Sequence, residues 1–379
     1  MFSGDYNLAG KRKKKLITKN AVKAAVFLCL IALVVLSCNK IFGFADAEHS
    51  ETIMNEFYEQ DKDTIDVVYF GTSASQRAYV NPVAYHEDGV ACYTMACGTQ
   101  PFILTEYLMK EALKTQHPKL FIVELRGTCQ DKDSVWDVAV RRMMDNMKLS
   151  RNKLDAIETV IDYAEGGSNT IDTSGRSYVL PLLKFHGRWN PSKQPKYWGN
   201  IDYYQGYTLD YGVCFKTTEV SSRPMETSDA HIAAETEKAL IRLLDYCDTI
   251  DTEVLFVVSP YEATEYGMQR LNYSQAICEE RGYPVLNFLS LEAKAELGLN
   301  DKCCYYNREH LNYYGSLKYT DYITNYIKSH YDIPDRRGDE KHARWEQQYD
   351  RLMENMETTY AERYAAMMAV VNEVEAGGE

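Results

Sequence analysis

The sequence has no Cys-x-x-Cys pair among its 10 cysteines, which argues against a zinc ribbon. His, Asp and Glu do not group at the spacing of metal ligands either, so we expect neither a metal nor another cofactor. Acidic residues outnumber basic residues after the first 23 positions, and the whole chain has a net charge of -13. This excludes general nucleic-acid binding, which requires a basic surface. The chain is also poor in long apolar runs, which excludes a polytopic membrane protein but leaves one candidate span.

That span follows a basic N-terminal tail. Residues 1–23 contain seven Lys or Arg against one Asp, and residues 24–45 are mostly apolar, with Lys40 close to their end. A membrane helix needs about 20 apolar residues, and the Lys40 side chain is long enough to reach the far interface. By the positive-inside rule the tail is cytoplasmic and the chain after residue 45 is extracytoplasmic. The sequence therefore predicts a single-pass protein of the cell membrane with an N-terminal signal anchor.

Two other interpretations of this segment stay open. Residues 45–47 have the small-x-small form of a signal-peptidase site, and residues 35–38 form a loose lipobox. The long tail and the apolar residues beyond Lys40 favour a retained anchor. All three interpretations export the bulk of the chain.

From residue 60 onward, short apolar runs alternate with amphipathic segments. We predict strands at residues 66–70, 90–96, 119–125, 253–258 and 284–288, with helices at residues 102–116, 236–248, 262–281 and 313–329. Strands separated by helices predict an α/β fold with a five-stranded parallel sheet and helices on both faces. The predicted domain covers residues 46–335, and its chemistry should lie at the carboxyl ends of the strands.

Two segments are additional to this minimal fold. The insertion at residues 126–235 contains ten aromatic side chains within residues 178–215, which either form a small core of their own or present flat rings to a carbohydrate. On the second interpretation Trp189, Trp198 and Tyr203 are candidate substrate-binding residues. Residues 336–379 carry an apolar stripe at helical spacing, which predicts a long C-terminal helix packed on the domain or on a partner.

Candidate catalytic residues follow the first and the last predicted strands. The first strand leads into Gly-Thr-Ser-Ala-Ser at residues 71–75, where glycine permits a sharp turn that presents Ser73 above the sheet. His310 precedes the final helix of the domain, so it is placed to return to the end of the first strand. A serine hydroxyl needs such a base to act as a nucleophile at neutral pH. Each signal alone is weak, because Ser is also a common helix N-cap.

The combination resembles the SGNH (GDSL-type) hydrolases. Residues 66–73 are similar to the family's first block with Ser73 as nucleophile, Gly98 occupies the position of the oxyanion glycine, and His310, Asn312 and Gly315 are similar to the final block. The resemblance covers residues 60–130 and 235–330. It is greatest to the exported, membrane-anchored branch that includes D-alanine-transfer and alginate O-acetylation accessory proteins. It implies a flavodoxin-like SGNH fold, with Ser73 and Gly98 as oxyanion donors.

The sequence departs from the family pattern at two points. Asn307 stands where the family has the triad Asp, and the Gly-x-Asn-Asp block after the third strand is replaced by residues 124–128, Glu-Leu-Arg-Gly-Thr. An amide oxygen can orient the imidazole but supplies no charge. Glu124 and Glu309 are therefore candidate auxiliary residues, as is His186 in the insertion.

The expected function is that of an extracytoplasmic serine acyl-ester hydrolase or O-acyltransferase acting on a cell-surface polysaccharide. The resemblance implies a surface glycan and a membrane-bound O-acyltransferase as partners. The alternative is a catalytically weakened glycan-binding or assembly module that works beside such an acyltransferase. A metal-dependent hydrolase is disfavoured, because no cluster of ligands is present in the sequence pattern.

Overall fold

A computed structural model describes residues 4–167, 170–190, 201–213 and 231–377. The strands are β1 Val67–Gly71, β2 Cys92–Ala96, β3 Leu120–Glu124, β4 Tyr203–Tyr204, β5 Tyr207–Thr208, β6 Glu253–Val258 and β7 Val285–Asn287. Five of them form a parallel sheet in the order β2-β1-β3-β6-β7, while β4 and β5 form a separate antiparallel pair. Leaving out that pair, the order is that of flavodoxin-like doubly wound sheets. The predicted five-stranded parallel sheet is confirmed.

Helices cover both faces of the sheet. In chain order they are α1 Gly4–Ile41, α2 Glu51–Tyr58, α3 Ser73–Ala78, α4 Asn81–Asp88, α5 Thr105–Ala112, α6 Asp137–Met144, α7 Arg151–Ala164, α8 Arg176–Val179, α9 Leu182–Phe185, α10 Ala234–Cys247, α11 Glu265–Glu280, α12 Leu291–Glu296, α13 Tyr313–His330, α14 Ala343–Glu357 and α15 Ala361–Gly377. One core joins α2, α5, α6, α7, α10 and α11 to the sheet, and a second core joins α3, α4, α13, α14 and α15 to its other face.

The side chains of β1 show why the strands read as continuous apolar runs. Val68 and Phe70 point into the first core, whereas Val67 and Tyr69 point into the second, and all four side chains are fully buried. A parallel strand covered on both faces gains from apolar side chains at every position rather than at alternate ones.

The predicted C-terminal helix is present, and a break at residues 358–360 divides it into α14 and α15. The backbone leaves the helical region at Thr358, the first of two adjacent threonines, and the Tyr360 N–H then donates to the Asn355 carbonyl at 2.8 Å. Threonine is a weak helix former because its branched side chain loses rotamer freedom against the preceding turn. Both helices pack on the second core through buried Leu352 and Met367, so the extension belongs to the domain.

The described part of the chain contains one helix that is long and apolar enough to cross a membrane, residues Thr18–Ile41 within α1. The side chains of this segment are largely exposed, as expected of a helix with no protein partner along most of its length.

Candidate functional site

Ser73 lies at the carboxyl end of β1. The chain passes from β1 to β2 on one side of this strand and then crosses to β3 on its other side, so the strand order reverses here. Such a topological switch point is where open α/β sheets form their ligand crevice. Thr72 caps α3 by accepting the Ala74 N–H at 3.3 Å. A side chain at Gly71 would collide with Ser75 and Glu124, so glycine is required in this turn. The Ser73 side chain remains partly exposed at the start of α3.

His310 is held at the same edge by a short bridge and by the start of α13. Tyr305 and Leu311 form an antiparallel bridge, and the Tyr306 N–H donates to the His310 carbonyl at 2.9 Å. Two residues later, Asn312 caps α13 by accepting the Gly315 N–H at 3.0 Å. The imidazole is thus fixed from both sides, and the fold brings it to Ser73 across 237 positions of sequence.

Ser73, His310 and Asn307 form a continuous hydrogen-bonded chain. Ser73 Oγ lies 2.8 Å from His310 Nε2, and His310 Nδ1 lies 3.1 Å from Asn307 Oδ1. Asn307 Oδ1 also accepts the backbone N–H groups of Glu309 at 2.8 Å and of His310 at 2.9 Å. These two donors identify the atom that faces the imidazole as the amide oxygen. Since an oxygen acceptor faces Nδ1, that nitrogen carries the proton and Nε2 is free to accept from the serine hydroxyl.

The loop that carries Asn307 and His310 is clamped by Arg126, which follows β3. Arg126 Nη1 donates to the Glu309 carbonyl at 2.8 Å, and its Nη2 lies 3.5 Å from the Glu309 carboxylate. The guanidinium also stacks on the Tyr261 ring at 3.9 Å from the centroid. A second tie is the Glu262 N–H, which donates to the Arg308 carbonyl at 2.8 Å. The Glu309 carboxylate therefore pairs with Arg126, while its backbone supports the loop.

Glu124 is buried beneath the site and binds backbone groups. Its carboxylate accepts the Ser259 N–H at 3.1 Å and the Arg126 N–H at 3.3 Å. Burial raises the pKa of this carboxyl above its usual value, although the nearby Arg126 charge acts in the opposite direction. These bonds join the ends of β3 and β6, so Glu124 fastens the sheet edge on which the site is built.

Gly98 follows β2, the strand next to β1, and is tied to the chain that emerges from α1. Its carbonyl accepts Arg142 Nη1 at 2.7 Å, and a side chain at position 98 would collide with that guanidinium. Arg142 also pairs with Asp46 at 2.7 Å and with Glu48 at 3.4 Å. This contact gives Gly98 a packing role whether or not its N–H serves as an oxyanion donor.

The predicted substrate-binding residues of the insertion lie in different environments. Tyr203 is only 2% exposed and its hydroxyl donates to the Glu48 carbonyl at 2.7 Å, so its ring has no open face for a sugar. Trp189 is 75% exposed and lies in a turn beside the end of α1. His186 lies in the same turn, and its Nδ1 is 3.1 Å from the Leu183 carbonyl. Trp198 lies outside the described residues. Most other described rings of this segment are buried: Tyr178, Tyr204, Tyr207 and Tyr211.

A cavity of about 560 Å³ borders the loop of His310. Its wall at residues 208–212 is bound to the segments that carry Ser73 and His310, because Asp210 pairs with Arg77 of α3 at 2.6 Å and the Gly212 carbonyl accepts Asn312 Nδ2 at 3.1 Å. Burial raises the pKa of Asp210 to about 6, against the opposing effect of Arg77. The lining combines rings with charged groups: Asp202, Asp210, Tyr211, Tyr306, Tyr360 and Arg363.

Sequence reasoning singled out Ser73, His310 and Asn307 but missed Arg126 as a support of their loop and the whole cavity wall. Arg126 had a recognisable signal, because a charged residue directly after a buried strand stands at the functional edge of a parallel sheet. The wall at residues 208–212 had none, since its contacts to α3 and α13 join distant parts of the chain. No protein-family model matches the sequence, and no curated protein matches it either.

Proposed function

We propose that the chain is an extracytoplasmic serine acyl-ester hydrolase or O-acyltransferase acting on a cell-surface polysaccharide. The observation that supports it most is the hydrogen-bonded chain from Ser73 through His310 to Asn307 at the β1/β3 switch point. The resemblance of the same residues to the exported SGNH hydrolases, together with the apolar helix at residues Thr18–Ile41, supports both the chemistry and its location outside the membrane.

In this mechanism Ser73 Oγ attacks the acyl carbonyl carbon while its proton passes to His310 Nε2. The backbone N–H groups of Ser73 and Gly98 would stabilise the oxyanion. His310 then donates the proton to the leaving alcohol, and the acyl group stays on Ser73. Attack by water completes hydrolysis, whereas attack by a sugar hydroxyl completes transfer. Asn307 orients the imidazole but gives its positive charge no ionic partner, so we expect slow chemistry toward generic esters.

The cavity beside Tyr306 is our candidate site for the sugar. Its rings offer flat surfaces for stacking, and its acidic and basic side chains can bind hydroxyl groups. We expect Tyr306→Ala to raise KM for an acetylated oligosaccharide about tenfold, because a stacking contact contributes on the order of 1 kcal/mol, and to leave aryl acetate turnover unchanged.

The test of the proposal is labelling of the full chain in membranes with a fluorophosphonate probe, which reacts with activated serines. We expect labelling of the parent chain and none of Ser73→Ala or His310→Ala. Ser75→Ala is a weak control because Ser75 is buried, so Ser134→Ala on an exposed turn is the matched control and should keep its label. Absence of labelling in a folded parent chain would contradict the enzymatic proposal.

A non-catalytic assembly module is the second candidate, and Asn307 favours it. Glu309 pairs with Arg126 and Glu124 binds backbone N–H groups, so neither carboxylate replaces the missing triad acid in the described contacts. On this proposal the chain binds an O-acyltransferase or the glycan, and Ser73→Ala should leave polysaccharide acylation in cells intact. Loss of acylation in that variant would exclude it.

A further inference from the structure

Several exposed apolar side chains on the described surface of the domain lie in α6, α8, α9 and the turns beside them. Among the described residues outside α1, the two exposed tryptophans are Trp136 at 56% and Trp189 at 75%. Their segments touch, because Lys184 of α9 pairs at 2.6 Å with Asp137, which follows Trp136. Exposed aliphatic side chains occur in the same segments. We call the whole set the base patch: Trp136, Val138, Val179, Leu183 and Trp189.

The base patch adjoins the end of the apolar helix. The Leu182 N–H donates to Asn39 Oδ1 at 2.9 Å, and Asn39 lies in the last turn of α1. Arg188 binds the chain just beyond, with Nη1 2.5 Å from the Gly43 carbonyl and Nη2 3.1 Å from the Ala45 carbonyl. These bonds place α9 and the turn after it at the level where α1 ends.

Rings of the two segments also pack together at this junction. The Phe44 and Phe185 rings have centroids 6.0 Å apart, and the Arg188 guanidinium lies 4.2 Å from the Phe185 centroid. Side-chain and main-chain contacts therefore fix the base patch relative to the exit point of α1. The segments that carry Leu183 and Trp189 therefore contact the end of the apolar helix.

We propose that the base patch rests in the interfacial layer of the phospholipid bilayer that α1 crosses. Tryptophan is enriched at this depth because its ring is apolar and its N–H is polar, and the neighbouring aliphatic side chains would be removed from water there. Contact of α9 and the following turn with the end of α1 favours lipid over a second copy of the chain as the occupant. The inference rests on α1 spanning the membrane and is independent of the chemistry at Ser73.

The test uses the full chain in phosphatidylcholine/phosphatidylglycerol vesicles whose lipids carry bromine either near the headgroup or deep in the acyl chain. Bromine quenches tryptophan fluorescence on contact. We expect stronger quenching by the shallow bromines, as for an interfacial ring, and the double variant Trp136→Phe/Trp189→Phe should lose about half or more of the quenched intensity. Trp345→Phe is the control, because this ring is 1% exposed inside the domain.

A charge introduced into the base patch gives a second test that keeps the tryptophans. Leu183→Glu should reduce shallow quenching, because a carboxylate is costly to place among lipid chains. Leu291→Glu is the matched control, since Leu291 is similarly exposed, 43% against 52% for Leu183, but lies on α12 beside the second core. Both changes are at the surface, so both variants should fold.

Four results would overturn the inference. Equal shallow quenching in the parent and the double variant would place both rings away from lipid, as would their full quenching by aqueous iodide. The two rings could also be shielded from iodide without being quenched by bromine, and only at a high protein-to-lipid ratio. That result would identify a second copy of the chain as the occupant. A chain that fails to float with vesicles would refute the anchor itself, whatever the outcome of fluorophosphonate labelling.

Discussion

The carboxyl edge of the sheet and the aromatic-rich insertion both look functional in the sequence, yet they are built in opposite ways. At the edge, Ser73, His310 and Asn307 form one hydrogen-bonded chain and remain partly exposed. In the insertion, rings such as Tyr178 and Tyr207 are fully buried. The difference teaches that a rich composition of one residue type is weaker evidence of a site than a few polar residues that the topology brings to one place.

The largest expected effect concerns Asn307. Asn307→Asp keeps the oxygen that accepts three donors and adds a charge opposite the imidazolium, so we expect kcat for an aryl acetate to rise about tenfold or more. Asn307→Ala removes the acceptor from the loop and should lower kcat at least about tenfold. Steady-state kinetics of both variants measures the effect.

Ser73→Ala in the Asp background is the control and should abolish the gain. An Asp variant that folds but turns over no faster than the parent would show that charge opposite His310 does not limit the reaction. No activity in either chain would favour the assembly module.

The second effect tests Arg126, which we propose as the positioning residue of the loop that carries His310. Arg126→Ala loses the bonds to Glu309 and the stacking on Tyr261, so His310 should be held less well and kcat should fall about tenfold with little change in KM. Glu309→Gln loses only an exposed ion pair and should change kcat less than about threefold. Equal losses in both variants would instead make the Glu309 charge a participant in the reaction.

The third prediction compares two rings of the insertion by stability. Tyr203→Phe removes the hydroxyl bond to the Glu48 carbonyl and should lower the free energy of unfolding by about 1 kcal/mol. Trp189→Phe, at an exposed position, should change it by less than about 0.5 kcal/mol. Denaturant unfolding of the detergent-solubilised chain measures both, and the reverse order would place Trp189 in the folded core.

The smallest effect on activity is expected at Glu124, because it binds backbone groups rather than the imidazole. Glu124→Gln keeps an oxygen acceptor and should change kcat by about twofold or less. Loss of a triad acid, by contrast, lowers kcat by orders of magnitude. A loss of a hundredfold or more would make Glu124 the missing acid.

The same variant should alter how stability depends on pH. Burial raises the folded-state pKa above the usual 4.5, so the folded chain binds the proton more tightly than the unfolded chain. The contribution of Glu124 to stability is therefore full below pH 4.5 and is lost as pH rises through the folded-state pKa. We expect Glu124→Gln to lose stability less steeply than the parent over this range, as measured by denaturant unfolding across pH. Parallel curves would contradict the shift.

The sheet was predictable because its strands read as apolar runs, and β1, β2 and β3 are buried at every position. Residues 253–258 were predicted with the bounds found, and the other four strands within two residues. Several helices were not predicted, among them α2, α3, α4, α7 and α12. In α3 the buried residues include polar Ser75 and Gln76, so the segment has no apolar helical period. Asn307 was identified by its distance from His310 along the chain, whereas the support from Arg126 depends on tertiary contacts that no local pattern contains.

If α1 crosses the membrane as we propose, the Arg142 link limits how far Ser73 stands from the lipid surface. Arg142 joins Asp46 and Glu48, just after α1, to the Gly98 carbonyl at the end of β2, so only a short segment separates α1 from the edge of the sheet that carries Ser73. Nine extended residues from Phe42 to Ser50 would reach at most about 30 Å, and the pairing with Arg142 shortens this. On the proposed function, an acceptor polymer must therefore come down to the membrane to be modified. A glycan chain still attached to its site of export would meet that condition, whereas the outer layers of a finished wall would lie out of range.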